Sequence, residues 1–283
     1  MVRIKREAVF SMKLECEIAG KVYGVDLANA IDLAIPLCFD GAQPNHFDAP
    51  EATARPFESG SFVGDTRRGG SCNVEEYRLI PHCNGTHTEC VGHISHERIS
   101  LHRILQNALI PATLITVTPE PALACADSYL PAKQKEDWLV TREQLSNHLQ
   151  ARSADFLRGL IIRTSRQEPA KKSRRYAQHM PAFFSREAMA LVASLGVQHL
   201  LVDLPSVDRM FDEGRLSAHH VFWNVPQGSQ NVDENHPSLK TITEMIYIDD
   251  SVSDGEYLLN LQTPSFVADA APSRPVIYPI VSL

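Results

Sequence analysis

Residues 80–95 read IPHCNGTHTECVGHIS, and we expect the rest of the chain to be organised around this stretch. It carries three histidines, two cysteines, one glutamate and a Gly-Thr pair. Imidazole, thiolate and carboxylate are the side chains that bind borderline-soft divalent metals. We therefore expect a metal site here, with the remaining chain building walls around it and supplying further ligands.

The spacing within this stretch supports that expectation. His87 and Glu89 are two residues apart, so on a strand they face the same side and can hold one ion together. His93 reaches the same place if the backbone turns or becomes helical after Glu89. Gly85 permits a close backbone approach or a positive φ. A lone histidine is usually structural, but this spacing favours metal binding.

Composition places the chain among ordinary globular proteins. Of its 283 residues, 43% are hydrophobic and 22% are charged, with a net charge of −7. This acidic balance argues against nucleic acid as the main partner. The sequence shows no signal peptide and no apolar run of about 18 residues, so we expect no membrane span and a cytoplasmic location. The six cysteines include no CxxC pair and are expected to be reduced.

Apolar patterns predict a strand-rich chain with a few helices between the strands. Helices are predicted at residues 142–151 and 185–196, the second with Ser185 as its N-cap and Gly196 at its end. Strands are predicted at residues 13–18, 21–25, 30–37, 72–81, 109–117, 159–164, 197–204, 241–248, 256–262 and 275–281. This order predicts an α/β fold, with α+β as the alternative, around a mixed sheet.

We expect one domain over residues 1–283. Residues 1–12 could be a dispensable N-terminal extension, because Met12 is an alternative start. Residues 38–70 show little periodicity but contain several aromatic residues. A segment of that length and composition is more typical of a lid or pocket wall than of a free loop.

The segment GTHTECVGH resembles the signature of the cyclase-like metal hydrolases, the family of bacterial kynurenine formamidase and isatin hydrolase. The usual pattern of that family is His-x-Gly-Thr-His-x-Asp-x-Pro-x-His. Identity and spacing both match at Gly85, Thr86, His87 and His93. Glu89 stands where the family has aspartate, and its carboxylate lies one methylene further from the backbone.

The first ligand of the pattern is ambiguous in this sequence. Cys83 stands at the position of the family histidine, and His82 comes one residue earlier. Either the Cys83 thiolate replaces that ligand, or a one-residue bulge lets His82 take its place. We favour His82, because an imidazole keeps the chemistry of the family, whereas a cysteine ligand would favour zinc.

The resemblance continues towards the C-terminus. Residues 159–165 and 197–208 resemble family strands. His219, the better aligned of the His219-His220 pair, matches a further metal-ligand histidine, and Glu244 matches a late metal-ligand glutamate. Residues 221–240 make the spacing between these two ligands longer than in the family, so we expect an inserted loop there.

The resemblance implies a single domain of the swivelling β/β/α type with one or two divalent ions, zinc before manganese. Glu89 would bridge the two ions, with His219 and Glu244 holding the second, and His93 would be the general acid/base. It also implies a small-molecule substrate and a homo-oligomer, either a dimer or a tetramer.

The function expected from these residues is hydrolysis of a C–N amide bond, in an aryl formamide or a cyclic amide. A divalent ion lowers the pKa of bound water from 15.7 to ~7, which provides the nucleophile. The alternatives are a metal-dependent cyclase or dehydratase, and a non-catalytic metal-binding protein on the same fold.

Overall fold

The computed structural model describes residues 12–165 and 168–283. All but the last residue of the expected N-terminal extension lies outside the described residues. The strands are, in chain order, β1 (Lys13–Ile18), β2 (Lys21–Asp26), β3 (Ile31–Asp32), β4 (Thr53–Pro56), β5 (Glu58–Ser59), β6 (Phe62–Val63), β7 (Glu75–Arg78), β8 (His87–Cys90), β9 (Leu109–Val117), β10 (Glu120–Pro121), β11 (Trp138–Val140), β12 (Gly159–Thr164), β13 (Phe183–Phe184), β14 (His199–Val202), β15 (Thr241–Glu244), β16 (Gly255–Asn260), β17 (Ala270–Pro272) and β18 (Val276–Ser282).

The helices are short. The α-helices are α1 (Pro81–Asn84), α2 (Leu101–Ile104), α3 (Arg142–Leu149), α4 (Arg186–Ser194) and α5 (Ser217–Trp223). The 3₁₀ helices are Leu27–Asn29, Thr66–Arg68, Val91–Ile94, Ala122–Ala124, Ala154–Phe156, Pro169–Ser173 and Tyr176–Gln178. No helix in the described part of the chain is long and apolar enough to cross a membrane.

A mixed 11-stranded sheet forms the centre of the molecule. Its strand order is β1-β2-β18-β16-β9-β12-β14-β15-β8-β17, and β3 pairs with β18. Strands β9, β12, β14 and β15 run parallel, and the strands on either side of them pair antiparallel. The expected α/β fold with a mixed sheet is therefore confirmed.

The parallel centre forms because its strands are apolar on both faces. Every residue of β12 (GLIIRT) is buried. Leu160 and Ile162 point to the face covered by α3, α4 and α5, while Ile161 points to the opposite face and packs with β16. A continuous apolar run of this kind needs cover on both sides, which is typical of parallel strands.

Most sequence-predicted elements are present, with instructive exceptions. Ser185 caps α4 by accepting from the Ala188 N–H at 2.9 Å, and Gly196 follows the helix at φ +76°. The strand predicted at residues 30–37 was wrong in extent, since only Ile31–Asp32 forms a strand before Pro36 ends the run. The strand predicted at residues 72–81 also stops early, at Arg78.

Strand β8 carries the centre of the histidine-rich stretch into this sheet. It lies between β15 and β17, and its register sets His87 opposite Glu244 and Glu89 opposite Ile242. The hydroxyls of Thr88 and Thr243 meet at 2.8 Å on the other face of the two strands. Ladder pairing therefore brings residues far apart in sequence to one place.

Candidate metal centre

Two groups of side chains that can bind metal meet around β8 and β15, near the β17 edge of the sheet. The outer group is His82, Glu89 and His93, and the inner group is His87, Glu89 and Glu244. Within each group, one candidate ligand atom per residue lies within 4.8 Å of the others. Glu89 belongs to both groups, so a single buried carboxylate joins them.

Strand geometry and one backbone contact orient His87. Its Nδ1 lies 3.0 Å from the Gly85 carbonyl oxygen. A carbonyl can only accept, so Nδ1 carries the proton and Nε2 is left with a free lone pair. That Nε2 lies 3.5 Å from Glu244 Oε2. The second oxygen of Glu244 accepts from the Val207 N–H at 2.8 Å, which fixes the carboxylate at the end of β15.

His219 approaches the inner group from α5, where Asp208 controls its position. The Asp208 carboxylate accepts from the N–H groups of Ala218 and His219, which begin the helix, and from His219 Nδ1 at 2.5 Å. The other ring nitrogen, Nε2, then lies 2.8 Å from Glu89 Oε1 and 3.8 Å from Glu244 Oε1. A carboxylate behind an imidazole in this way is the usual support of a metal-ligand histidine.

The two histidines of the outer group come from short turns, whereas Glu89 lies on β8. His82 lies on α1, which begins at Pro81, and His93 lies in the 3₁₀ helix Val91–Ile94. Their rings stack at 4.4 Å. From Glu89 Oε2, His82 Nε2 is 3.2 Å away and His93 Nδ1 is 3.8 Å away. The side chains of both histidines are 26% exposed, so this group faces the open side of the site.

The glycine that allows this arrangement is Gly92. A Cβ at Gly92 would lie 2.0 Å from the Ile99 carbonyl oxygen, so the turn before His93 closes only without a side chain. The expectation for Gly85 was wrong, because its backbone is extended (φ 169°) and a Cβ there would meet only Leu37, at 4.0 Å. Extended backbone needs no glycine.

The residues present fit a divalent ion. Ligand atoms around one tetrahedral zinc lie about 3.4 Å apart, because each metal–ligand distance is about 2.1 Å. The 3.2 Å and 3.5 Å separations above are close to this value. Among the described residues, His82 Nε2, His87 Nε2 and Glu89 Oε2 are buried without a hydrogen-bond partner. Buried polar atoms need a partner, and a cation at each group, with Glu89 common to both, supplies one for these three atoms.

Electrostatics at the site favour a cation. Burial alone would raise the pKa of Glu89, but His93 and His219 hold it well below its usual value. Burial would lower the pKa of His82 and His219, yet the adjacent carboxylates raise the pKa of His82 to about 10 and that of His219 well above its usual value. Without metal these imidazoles hold protons, so a metal ion has to displace them.

The structure brings together five of the predicted ligands and His93, but it groups them differently from the expectation. His87 lies with Glu244, whereas His82 lies with His93. Cys83 belongs to neither group, and burial, followed by the charge of Glu244, raises its pKa. Of the adjacent candidates, therefore, only His82 offers a ligand atom to a group.

The other member of the histidine pair on α5 has a different environment. His220 Nδ1 lies 3.3 Å from the Val225 carbonyl oxygen, away from the carboxylates.

The segment expected as an insertion begins inside α5, which runs to Trp223. Trp223 Nε1 donates to the Lys240 carbonyl oxygen at 3.0 Å and closes the loop at its base. The Gln230 carbonyl oxygen accepts from the His96 N–H, so the loop lies beside the turn that carries His93.

Two carboxylates of the site were not predicted. Asp208 ends the segment that resembles a family strand, but only the fold shows it behind His219. Asp269 immediately precedes β17, and its Oδ2 lies 3.2 Å from His82 Nε2 and 3.6 Å from His93 Nδ1. Asp269 belongs to neither group, and no spacing in the sequence connects it with residues 80–95.

Only part of the segment expected as a lid reaches the site. The His46 N–H donates to the Cys83 carbonyl oxygen, and the His46 ring packs against Phe47 and near Tyr176. Both ring nitrogens of His46 are buried without a partner among the described residues. Burial, with the nearby His87, lowers the pKa of His46 to about 3. Residues 53–63 of the segment form β4, which pairs with β7, and the pair β5–β6.

The family model described as "Putative cyclase" matches residues 25–209. This chain belongs to the Cyclase family. The matched residues cover most of the chain and include the stretch at residues 80–95. A comparison with curated proteins finds no match to this chain.

Solved structures share the fold of the chain at low sequence identity. Isatin hydrolase A from Ralstonia solanacearum has a TM-score of 0.59 and 13% identity, with 88% of this chain and 91% of that chain covered. Isatin hydrolase A from Labrenzia aggregata, bound to benzyl benzoate, has a TM-score of 0.58 and 14% identity, with 90% and 94% covered. A potential metal-dependent hydrolase with cyclase activity has a TM-score of 0.56 and 15% identity, with 88% and 98% covered.

Proposed function

We propose that the protein is a metal-dependent hydrolase that cleaves a C–N amide bond in an aryl formamide or a cyclic amide. The observation that carries the proposal is the placement of Glu89. It is 1% exposed and joins a buried ligand group to an open one that contains His93. A closed set of ligands beside an open set is the arrangement expected of a catalytic rather than a purely structural metal site.

The inner group provides ligands for a metal ion in fixed orientations. Its three side chains are buried, and His87 and Glu244 are each oriented by a backbone group. With His219, it offers two imidazoles and two carboxylates, a set that suits zinc and admits manganese. When bound, such an ion lowers the pKa of water and polarises a carbonyl group.

His93 is the residue assigned to proton transfer. Its ring is partly exposed and lies between the Glu89 carboxylate and the open side of the site. We assign it the proton of the attacking water, which it returns to the nitrogen of the leaving amine. A positioned acid/base of this kind contributes about 10²–10⁴-fold to turnover.

The side of the site at residues 46–47 suits a flat, partly polar substrate. The Phe47 ring is 52% exposed and meets the ring of Phe211, which is 61% exposed, at 6.4 Å. Behind Phe47 lies His46, which is 2% exposed and whose ring nitrogens have no partner among the described residues. An aromatic rim with a polar group behind it is typical of small-molecule sites. The proposed homo-oligomer, a dimer or tetramer, stays a prediction, as does the cytoplasmic location.

Substrate screening with metal-loaded protein tests the proposal. Metal-free protein is reloaded with Zn²⁺ or Mn²⁺ and assayed against formyl-arylamines and isatin-like lactams. We expect amide hydrolysis that requires metal. His93→Ala should keep its metal and lose about 10²–10⁴-fold in turnover.

His148→Ala is the matched control, because His148 lies exposed on α3 outside both groups. Full activity of His93→Ala would remove that residue from the mechanism. Metal-loaded protein that hydrolyses none of these amides contradicts the proposed reaction. Ring closure or dehydration of a test substrate would instead support the cyclase or dehydratase alternative.

A further inference from the structure

Asp269 lies at the open side of the site, beside both histidines of the outer group. Its side chain is 33% exposed, and both of its ion pairs are with imidazoles of the outer group. It is held there by the main chain, since its carbonyl oxygen accepts from the Cys90 N–H at 3.0 Å, next to Glu89. The antiparallel pairing of β17 with β8 therefore fixes a carboxylate beside the shared ligand.

The contacts of His82 indicate a cation between the two carboxylates. His82 Nε2 lies 3.2 Å from Glu89 Oε2 and 3.2 Å from Asp269 Oδ2. This nitrogen nevertheless has no aligned hydrogen bond among the described residues. The spacing is close to the roughly 3.4 Å between ligand atoms on one tetrahedral ion. A nitrogen equally near two carboxylate oxygens, at the spacing of ligand atoms, has the arrangement of three ligands around one ion.

We propose that Asp269 is a metal ligand, and that with His82 and Glu89 it holds an ion on the open side of the site. This inference rests on the proposed metal-dependent function and deepens it. The three ligands are one imidazole and two carboxylates. His93 Nδ1, 3.6 Å from Asp269 Oδ2 and 3.8 Å from Glu89 Oε2, faces the same point. It remains free for proton transfer.

Charge supports the assignment. Glu89 and Glu244 are the carboxylates of the two groups, and together they do not neutralise two divalent ions. Asp269 adds a negative charge on the side where the histidines are partly exposed. An uncompensated positive charge is costly at a partly buried site, and an additional carboxylate ligand removes much of that cost.

If Asp269 only forms ion pairs with the histidines, its removal should have the opposite effect on metal affinity. If Asp269 only pairs with protonated imidazoles, its removal makes those imidazoles easier to deprotonate, and metal binding becomes equal or tighter. If Asp269 is a ligand, its removal weakens metal binding. The two roles therefore differ in the sign of one measured affinity.

The experiment compares wild type, Asp269→Ala and Asp269→Asn as metal-free full-length protein. Zn²⁺ is added, the bound metal is counted by mass spectrometry of the eluted protein, and affinity is measured by calorimetry. We expect two ions in wild type. Each variant should lose one ion, or bind it more than about 100-fold more weakly, which exceeds the roughly 10–100-fold effect of a supporting residue. Asp269→Asn keeps the shape of the side chain, so misfolding does not explain a loss in that variant.

Asp233→Ala is the matched control, because Asp233 also lies beside a histidine, His236 at 3.0 Å, but outside the site. It should bind metal as wild type does. Unchanged or tighter binding in both Asp269 variants overturns the proposal, as does a wild type that binds only one ion. Neither result depends on substrate, so a failure of this inference is separate from a failure of the proposed reaction.

Discussion

The inner and outer groups share Glu89 but differ in how they are held. The inner group is buried and formed by ladder pairing, with His87 opposite Glu244. The histidines of the outer group come from two short turns, and His82 and His93 are each 26% exposed. The paired strands therefore fix a buried set of ligands, whereas the turns hold His82 and His93 at the accessible side of the site.

The largest effect is expected at the residue that the two groups share. Glu89→Gln removes the charge from both groups while keeping the shape of the side chain. We expect the loss of all tightly bound Zn²⁺ and of hydrolysis, because each group then has at most one carboxylate. Metal counting on purified protein measures this. Retention of one ion would show that the groups bind independently of Glu89.

A smaller effect is expected behind His219. Asp208→Asn removes the carboxylate that accepts from His219 Nδ1 and from the first N–H groups of α5. Outer-sphere partners of this kind are worth about 10–100-fold in metal affinity. We expect a loss of that size at the inner group, measured by calorimetry, with the outer group unchanged. An equal loss at both groups would contradict the separation between them.

Two glycines test which backbone positions the turns require. Gly92→Ala places a methyl group 2.0 Å from the Ile99 carbonyl oxygen and should cost about 1–3 kcal/mol in unfolding free energy, as overpacking does. Gly85→Ala meets only Leu37 at 4.0 Å and should be nearly neutral. Urea unfolding of the two variants measures the contrast. Equal costs would mean that the turn at Gly92 can rearrange.

A further effect is a pH dependence of the metal-free protein. The folded protein holds the pKa of His82 near 10, above the value of about 6.5 in an unfolded chain. This stabilisation is complete below pH 6.5 and is lost as the pH rises towards 10, by at most about 1.4 kcal/mol per pH unit. Urea unfolding of metal-free protein between pH 7 and 10 measures it.

The control for this pH dependence is His82→Gln, which should unfold with a flatter profile over the same range. Zinc-loaded protein should also lose the slope, because a metal-ligand imidazole carries no proton. The pH dependence of stability contributed by His46 has the opposite sign, since the folded pKa of His46, about 3, lies below the unfolded value. Its contribution is lost only as the pH falls from 6.5 towards 3. A slope unchanged in His82→Gln would assign the alkaline loss to other groups.

Local patterns predicted much of the fold because the forces that set them are local. The apolar run at β12 and the cap of α4 by Ser185 depend on residues within a few positions of each other. The strand predicted at residues 30–37 is shorter in the structure because its length depends on tertiary pairing. Ile31–Asp32 pairs with β18, whereas Ala34 makes only an isolated bridge with Ile246, so the ladder does not continue along the run.

The sequence by itself determined the ligand types, the facing of His87 and Glu89, and the candidates His219 and Glu244. The first two follow from side-chain chemistry and from the two-residue period of a strand, whereas His219 and Glu244 follow from the family resemblance. Only the tertiary structure decided how the ligands divide between two groups, that His82 and not Cys83 faces Glu89, and that Asp208 and Asp269 belong to the site. Those facts depend on strand register and on the closure of two turns, which join residues more than a hundred positions apart.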